Sequence, residues 1–400
     1  MPETKSLTLQ VLQGAVSGTA AALRCVSKLQ PAGGPGDKVF PPTYAGAVYA
    51  REQRRVPGRD EPVECVLLDS VQSQANRMEE ALQAAVDEGR LNIPVIVVDF
   101  SAADRELLSA IGKVTSLQAP HRIADAILRD SLLSEGKEKD TPFSKSSHAD
   151  RWRQAGFNNA TPLYELCPTA LVFGMWGSPD KPGGMGAKFQ RAIVSEIVGI
   201  GAVYGVKTSS RIDPLQIRAA VKVVKKDNAW TVAEDPKAKA AIAPSEVNHG
   251  NIPPDISEGG VTIASAEQTV TLSLPAVRRL QFPLDGKVDA KANAAGRTVL
   301  AALGLCAAAL AAEKGFDLRS RCLLWPMGPM EWELLDRPGQ SPARLTVEAD
   351  TAIGVLNKAV AAAEGLGLQW RTKPLVLKPA PQLVELVKKS QELADRKSVV

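Results

Sequence analysis

The run VECVLL at 63–68 is apolar enough for a buried strand, and a polar turn follows it at Asp69 and Ser70. Beyond that turn Ala75, Met78, Leu82 and Ala85 recur at helical spacing, which predicts an amphipathic helix opening near Gln72 and stopping at Gly89. IPVIVVDF (93–100) reads as a second buried strand. Positions 120–133 read as a further amphipathic helix with Ile123, Ile127 and Leu128 on its inner side, and 134–147 as a polar loop. TALVFGMW (169–176) predicts a strand, the glycine- and proline-rich GSPDKPGGMGAKF a flexible loop, and AKFQRAIVSEIVGIGA (187–202) a helix.

From 203 to 262 the texture changes. Two short strand-like runs, AAVKVV and AWTVA, are separated by lysines, and SEVNHGNIPPDISEGG follows as a loop rich in proline, asparagine and glycine. The segment reads as a protruding hairpin set into a larger body. VTLSL, a long helix over 289–314, the strands LRSRCLLW and MEWELLD, and a helix over 350–364 complete that body, with a surface helix and tail over 379–400. The expectation is one domain over 1–400 with an insert at 203–262.

Composition narrows the class. Of 400 residues 44% are hydrophobic and 23% charged, values that exclude wholesale disorder. The alanine-rich stretch 298–312 is shorter than the ~20 residues of a membrane span and is flanked by Arg297, Glu313 and Lys314, so it reads as a buried helix. MPETKSLTLQ lacks the basic-then-apolar pattern of an export signal. Five cysteines without C-x-x-C spacing (Cys25, Cys65, Cys167, Cys306, Cys322) read as buried, reduced thiols. No cofactor is expected.

Chemistry-bearing residues gather in three places. The glycine loop GGMGAK, with Gly184 and Lys188 in it and Gln190 and Arg191 beyond, would present free N–H groups to a phosphate if it opens a helix. Phe189 stands where a P-loop needs Ser or Thr, which disfavours nucleotide hydrolysis. Ser70, Gln72, Ser73, Asn76 and Arg77 crowd the first turns of the helix near 72, a donor set suited to sugar and phosphate, although a capped, solvated helix face has the same composition. Between 188 and 226 eight basic residues, Arg211, Lys222 and Lys225 among them, face only two acidic ones. The formal net charge of +4 is compatible with a polyanionic partner but is weak evidence by itself. Catalytic signals are thin: His121 beside Arg122 is the best base for RNA cleavage, with a phosphate-contacting or structural role as its alternative, and Asp69 and Asp99 lack a second carboxylate for a metal.

Taken together, FPPTYAGAVYA, LLDSVQSQANRMEEAL, LCPTALVFGMWGS, GAKFQRAIVSEIVGIGAVYGVKTSSRIDPL and PSEVNHGNIPP followed by GGVT resemble the backbone subunit of type I-G (formerly I-U) CRISPR effector complexes, of the RAMP superfamily. The resemblance runs from about Phe40 to Leu335. It implies an α+β fold: an RRM-like (ferredoxin-like) antiparallel sheet backed by helices, carrying a thumb-like hairpin, with 203–262 as that thumb and 30–60 as the competitor. It implies a protein without catalytic activity that holds guide RNA (crRNA) in the cytoplasm and stacks head to tail with copies of itself. Target DNA, other effector subunits and a helicase-nuclease would be its partners, with no membrane. A RAMP-type endoribonuclease using His121 or an aspartate, and a nucleotide-dependent enzyme using 183–188, are the readings from other classes.

Overall fold

The computed structural model describes residues 4–101, 108, 111–177, 188–226 and 229–398, with side chains as far as 393. Eight elements carry the argument: β1 (Ala22–Pro31), β2 (Val63–Asp69), α1 (Val71–Asp87), β3 (Ile193–Ile200), β4 (Ser265–Ser273), α2 (Ala290–Lys314), β5 (Glu331–Leu335) and α3 (Ala349–Glu364). Strands β5, β1, β4, β3 and β2 lie side by side in that order, each antiparallel to its neighbour. The sheet is extended by Arg51–Arg54 beyond β2, by Ala343–Thr346 and Lys5–Ser6 beyond β5, and by Cys322–Pro326, which also pairs with β1.

Period-two alternation selects the faces. In β1, Leu23, Cys25, Ser27 and Leu29 are buried while Arg24, Val26, Lys28 and Gln30 are not, and in β4 Ala266, Gln268, Val270 and Leu272 point inward. The inner face meets α1 and α2. Ser70 caps α1, its Oγ accepting from Ser73 N at 3.2 Å, and the face foreseen for this helix, Ala75, Met78, Leu82 and Ala85, is buried. Asp289 caps α2. Alanine and glycine let α2 pack on several sides at once: a Cβ at Gly296 would lie 2.7 Å from the Phe282 ring. By length and composition α2 could cross a membrane, yet 78% of its most apolar window is buried within the protein.

Three sequence expectations are corrected. Positions 188–202 of the expected helix over 187–202 form no helix: they give Lys188–Phe189 and then β3, where Ile193, Ser195 and Ile197 alternate inward between β4 and β2. Positions 169–176 are not one strand but a helical turn, Thr169–Val172, entered through Pro168 and ended by Phe173 and by Gly174 at φ +81°, before the short strand Met175–Trp176. The single helix over 120–133 is replaced by a 3₁₀ turn, Arg122–Ala124, a helical turn, Ala126–Arg129, and a strand, Ser131–Leu133. Asp125 interrupts it by capping a new start, its Oδ1 accepting from Ile127 N.

That last strand belongs to a second sheet, ordered Lys113–Thr115, Ile96–Asp99, Leu375–Pro379, Ser131–Leu133. Through it the C-terminal region closes over the long insertion between α1 and β3. The fold is thus mixed α+β with several sheets and, among the described residues, ten α-helices. All five cysteines are buried and unpaired.

Candidate nucleic-acid interface

The turn between β2 and α1 is built around Asp69, whose side chain is fully buried. Gln74 Nε2 and Arg77 Nε donate to its Oδ2 at 2.6 and 2.9 Å, and Arg319 donates to its Oδ1 at 3.1 Å. Gln74 in turn accepts from Ser195 Oγ (2.7 Å) and from Gln268 Nε2 (2.9 Å), which ties α1 to β3 and β4. Asp69 therefore organises the helix start through three donors and is no metal-site candidate. Arg77 also donates to the Leu318 carbonyl. Of the donor set read from the sequence, Gln72 and Asn76 are exposed, Ser73 is half-buried, Ser70 is the cap, and Arg77 is engaged internally. Sequence reasoning missed Gln74, Ser195, Gln268 and Arg319.

Around Lys188 the helix expected to receive phosphate is absent, and Gly184 lies outside the described residues. In its place Lys188–Phe189 pairs antiparallel with Met175–Trp176. Lys188 Nζ stands 5.5 Å from the centroid of the exposed Trp176 ring, and Arg279 donates to Gln190 Oε1 at 3.1 Å. Beneath this ribbon lies a buried charge cluster. Arg122 donates to both carboxylate oxygens of Glu79 (2.7 and 2.6 Å) and to the Gly174 carbonyl (2.8 Å). Burial pushes the Glu79 carboxyl up to about 7, against the opposing pull of Arg122. Arg191 approaches the same pair; burial and then the Arg122 charge lower its pKa, and its Nε meets no acceptor. The structure thus places Arg122 in the core, away from solvent, while His121 beside it is exposed with its backbone N–H held by Asp125.

The insert is a long antiparallel ribbon, Val203–Arg211 with Ile252–Thr262, carrying a smaller one, Val223–Lys226 with Ala229–Val232. The stretch expected as a loop over 245–260 is therefore a strand from Ile252 onward, Pro253 and Pro254 included; the partners of Ile252 and Asp255 lie across a register shift that tolerates them. Arg211 is spent internally, donating to the carbonyls of His249 and Gly250. Lys222 is partly buried and Lys225 is exposed opposite Trp230. At the root, Lys38 Nζ donates to the Val206 carbonyl, Gly260 N donates to Tyr49 Oη, and the Arg51 guanidinium lies 3.6 Å from the Tyr204 ring centroid. Residues 38–51 of the competing loop thus brace the hairpin.

An antiparallel sheet backed by helices, with a small ribbon that carries Lys188 and a longer one over 203–262, defines a mixed α+β protein. Residues 23–204, from β1 to the hairpin root, are similar to the family described as CRISPR-associated protein GSU0053. The resemblance drawn from the sequence, to a CRISPR-associated protein, agrees with that match over this stretch. The crystal structure of Csc2 from Thermofilum pendens aligns with 96% of this chain and 79% of its own, at 10% identity and a TM-score of 0.30. No curated protein sequence matches the chain.

Proposed function

We propose that this protein is a guide-RNA-binding backbone subunit of a CRISPR effector complex, a binding rather than a catalytic component working in the cytoplasm. The observation that carries the reading is the CRISPR-associated family match over 23–204, the stretch that holds Lys188, Arg191 and the start of α1. The topology supports an RRM-like core. Taking β1, α1, β3, β4, α2 and β5 in chain order gives β-α-β-β-α-β, and the four strands stand in space as fourth, first, third, second, the ferredoxin-like arrangement. β2 is then an added strand beside the second core strand, and 203–262 an insertion between the second and third core strands, in the place of a thumb.

Association of copies along the RNA is supported by the insert's surface. Ile212, Leu215 and Ile256 are 85%, 71% and 69% exposed, large apolar side chains that a neighbouring copy could cover. Charge along the chain is also divided: 188–226 carries eight basic and two acidic residues, 227–262 two basic and six acidic. The two stretches pair with each other in both ribbons, so the insert as a whole is nearly neutral and the exposed apolar side chains carry this reading. Target DNA, further effector subunits and a helicase-nuclease are the partners this role requires. The test is to purify the protein from cells expressing a matching repeat array and sequence the RNA that accompanies it. Repeat-derived guides of uniform length support the role. Protein free of RNA, or bound to RNA fragments unrelated to the array, contradicts it.

A further inference from the structure

Trp176 is 69% exposed, although indole is among the costliest groups to leave in water. Its position is held from several sides. It pairs across the ribbon with Lys188, while the neighbouring pair, Met175 and Phe189, is buried. The Phe157 ring meets Phe189 edge-on at 5.7 Å. Gly174, at φ +81°, lies so close to the other strand that a Cβ there would stand 3.0 Å from both Arg191 N and Phe189 O. Arg122 holds the Gly174 carbonyl from below. An exposed aromatic on a fixed ribbon is preorganised for a flat partner, having little left to lose on binding.

The surroundings indicate the partner's charge. Lys188 stands over the ring, Arg279 reaches the ribbon through Gln190, and Arg191 lies beneath it with an unpartnered Nε, while among the described residues the carboxylate of this cluster, Glu79, is already engaged twice by Arg122. Trp325 is similarly exposed at 65%, but among the described residues no cation faces its ring. An exposed indole beside a lysine, with two arginines at the same ribbon, suits a planar group carried on a polyanion. An unpaired nucleobase on its phosphate backbone is such a group.

We propose that Trp176 is a stacking platform for an unpaired base of the bound RNA, with Lys188 contacting the adjoining phosphate. The inference rests on the RNA-binding role above and adds a contact to the bases. It is tested by measuring the affinity of the full-length protein for a single-stranded RNA and for a ribose-phosphate strand of equal length without bases. Trp176→Ala weakens binding to the base-bearing strand about tenfold, the usual scale for one stacked base, and leaves binding to the abasic strand unchanged. Trp176→Phe keeps most of the affinity, and Trp325→Ala leaves both strands unaffected. A Trp176→Ala effect no larger than that of Trp325→Ala, or equally large on the abasic strand, overturns the platform while the RNA-binding role stands. A wild-type protein that binds neither strand overturns both.

Discussion

Arg122 sits at φ +53°, a left-handed conformation that a long side chain adopts only when its surroundings compel it. The compulsion is the bidentate pairing with Glu79, both residues less than a tenth exposed. Removing one member of such a pair strands the other charge in the core, so Arg122→Ala is expected to cost about 3–5 kcal/mol in urea unfolding. Weakened RNA binding with undiminished stability would instead return Arg122 to the interface the sequence suggested. Glu79 adds a pH dependence. Its carboxyl is pushed up to about 7 from 4.5, so the folded chain keeps a proton that the unfolded chain releases. The resulting stabilisation is full below about pH 4.5 and is lost as the pH rises through 7. Glu79→Gln cannot titrate, so thermal unfolding of this variant between pH 5 and 8 should show a flatter stability profile, by up to ~3 kcal/mol across the window. Parallel profiles for the two proteins would refute the assignment.

Elements were readable from sequence where one period dominates and unreadable where two compete. The face of α1 is spaced only as a helix, and α2 announces itself by length and by the capping Asp289. In IVSEIVGI the apolar residues satisfy both a helical and an alternating pattern, and the choice falls to partners on both sides, β4 and β2, that no local window contains. β1 escaped notice because polar Ser27 sits at an inward position. Leu375–Pro379, brackets of proline around a short apolar run, gains its identity from pairing with Ile96–Asp99 on one side and Ser131–Leu133 on the other. At the site, Gln74, Ser195 and Gln268 converge from three elements widely separated along the chain, so no spacing rule finds them. The hairpin root tests the same dependence on distant partners. Gly260 has φ +76°, and a Cβ there would run into the Lys38 stem and approach Phe40. Gly260→Ala should cost about 1–3 kcal/mol and speed hydrogen exchange in Val203–Arg211 and Ile252–Thr262 ahead of the sheet. Exchange that stays as slow as in the wild type would show that the brace is dispensable.

On the scale of the whole molecule, the insert is tied to the body at its root, and this determines where it can be cut. Val261 is fully buried and exchanges backbone hydrogen bonds with Val39, so a deletion reaching 261 would open the hydrophobic cluster it forms with Leu29, Val39, Val66, Leu68 and Ile197, which is separate from the larger core under α1 and α2, along with the hairpin. Replacing 212–251 by a short Gly/Ser turn instead retains both strands of the long ribbon and removes the small one with Lys222 and Lys225. The body should fold as before, because the excised part contributes little to either hydrophobic cluster. From 212 to 251 the chain holds six basic and five acidic residues, nearly balanced, so the excised part adds little to electrostatic attraction. The salt dependence of RNA binding by single copies should therefore change only slightly, since its slope counts neutralised phosphates. Assembly is a different matter, because the exposed Ile212 and Leu215 are lost with the excised tip. On a long RNA the shortened protein is expected to bind as scattered copies, and nuclease digestion should lose the regular spacing of protected fragments that neighbouring subunits impose. Regular protection by a folded, shortened protein would place the contact between copies elsewhere, with the loop at 30–60 the next surface to test.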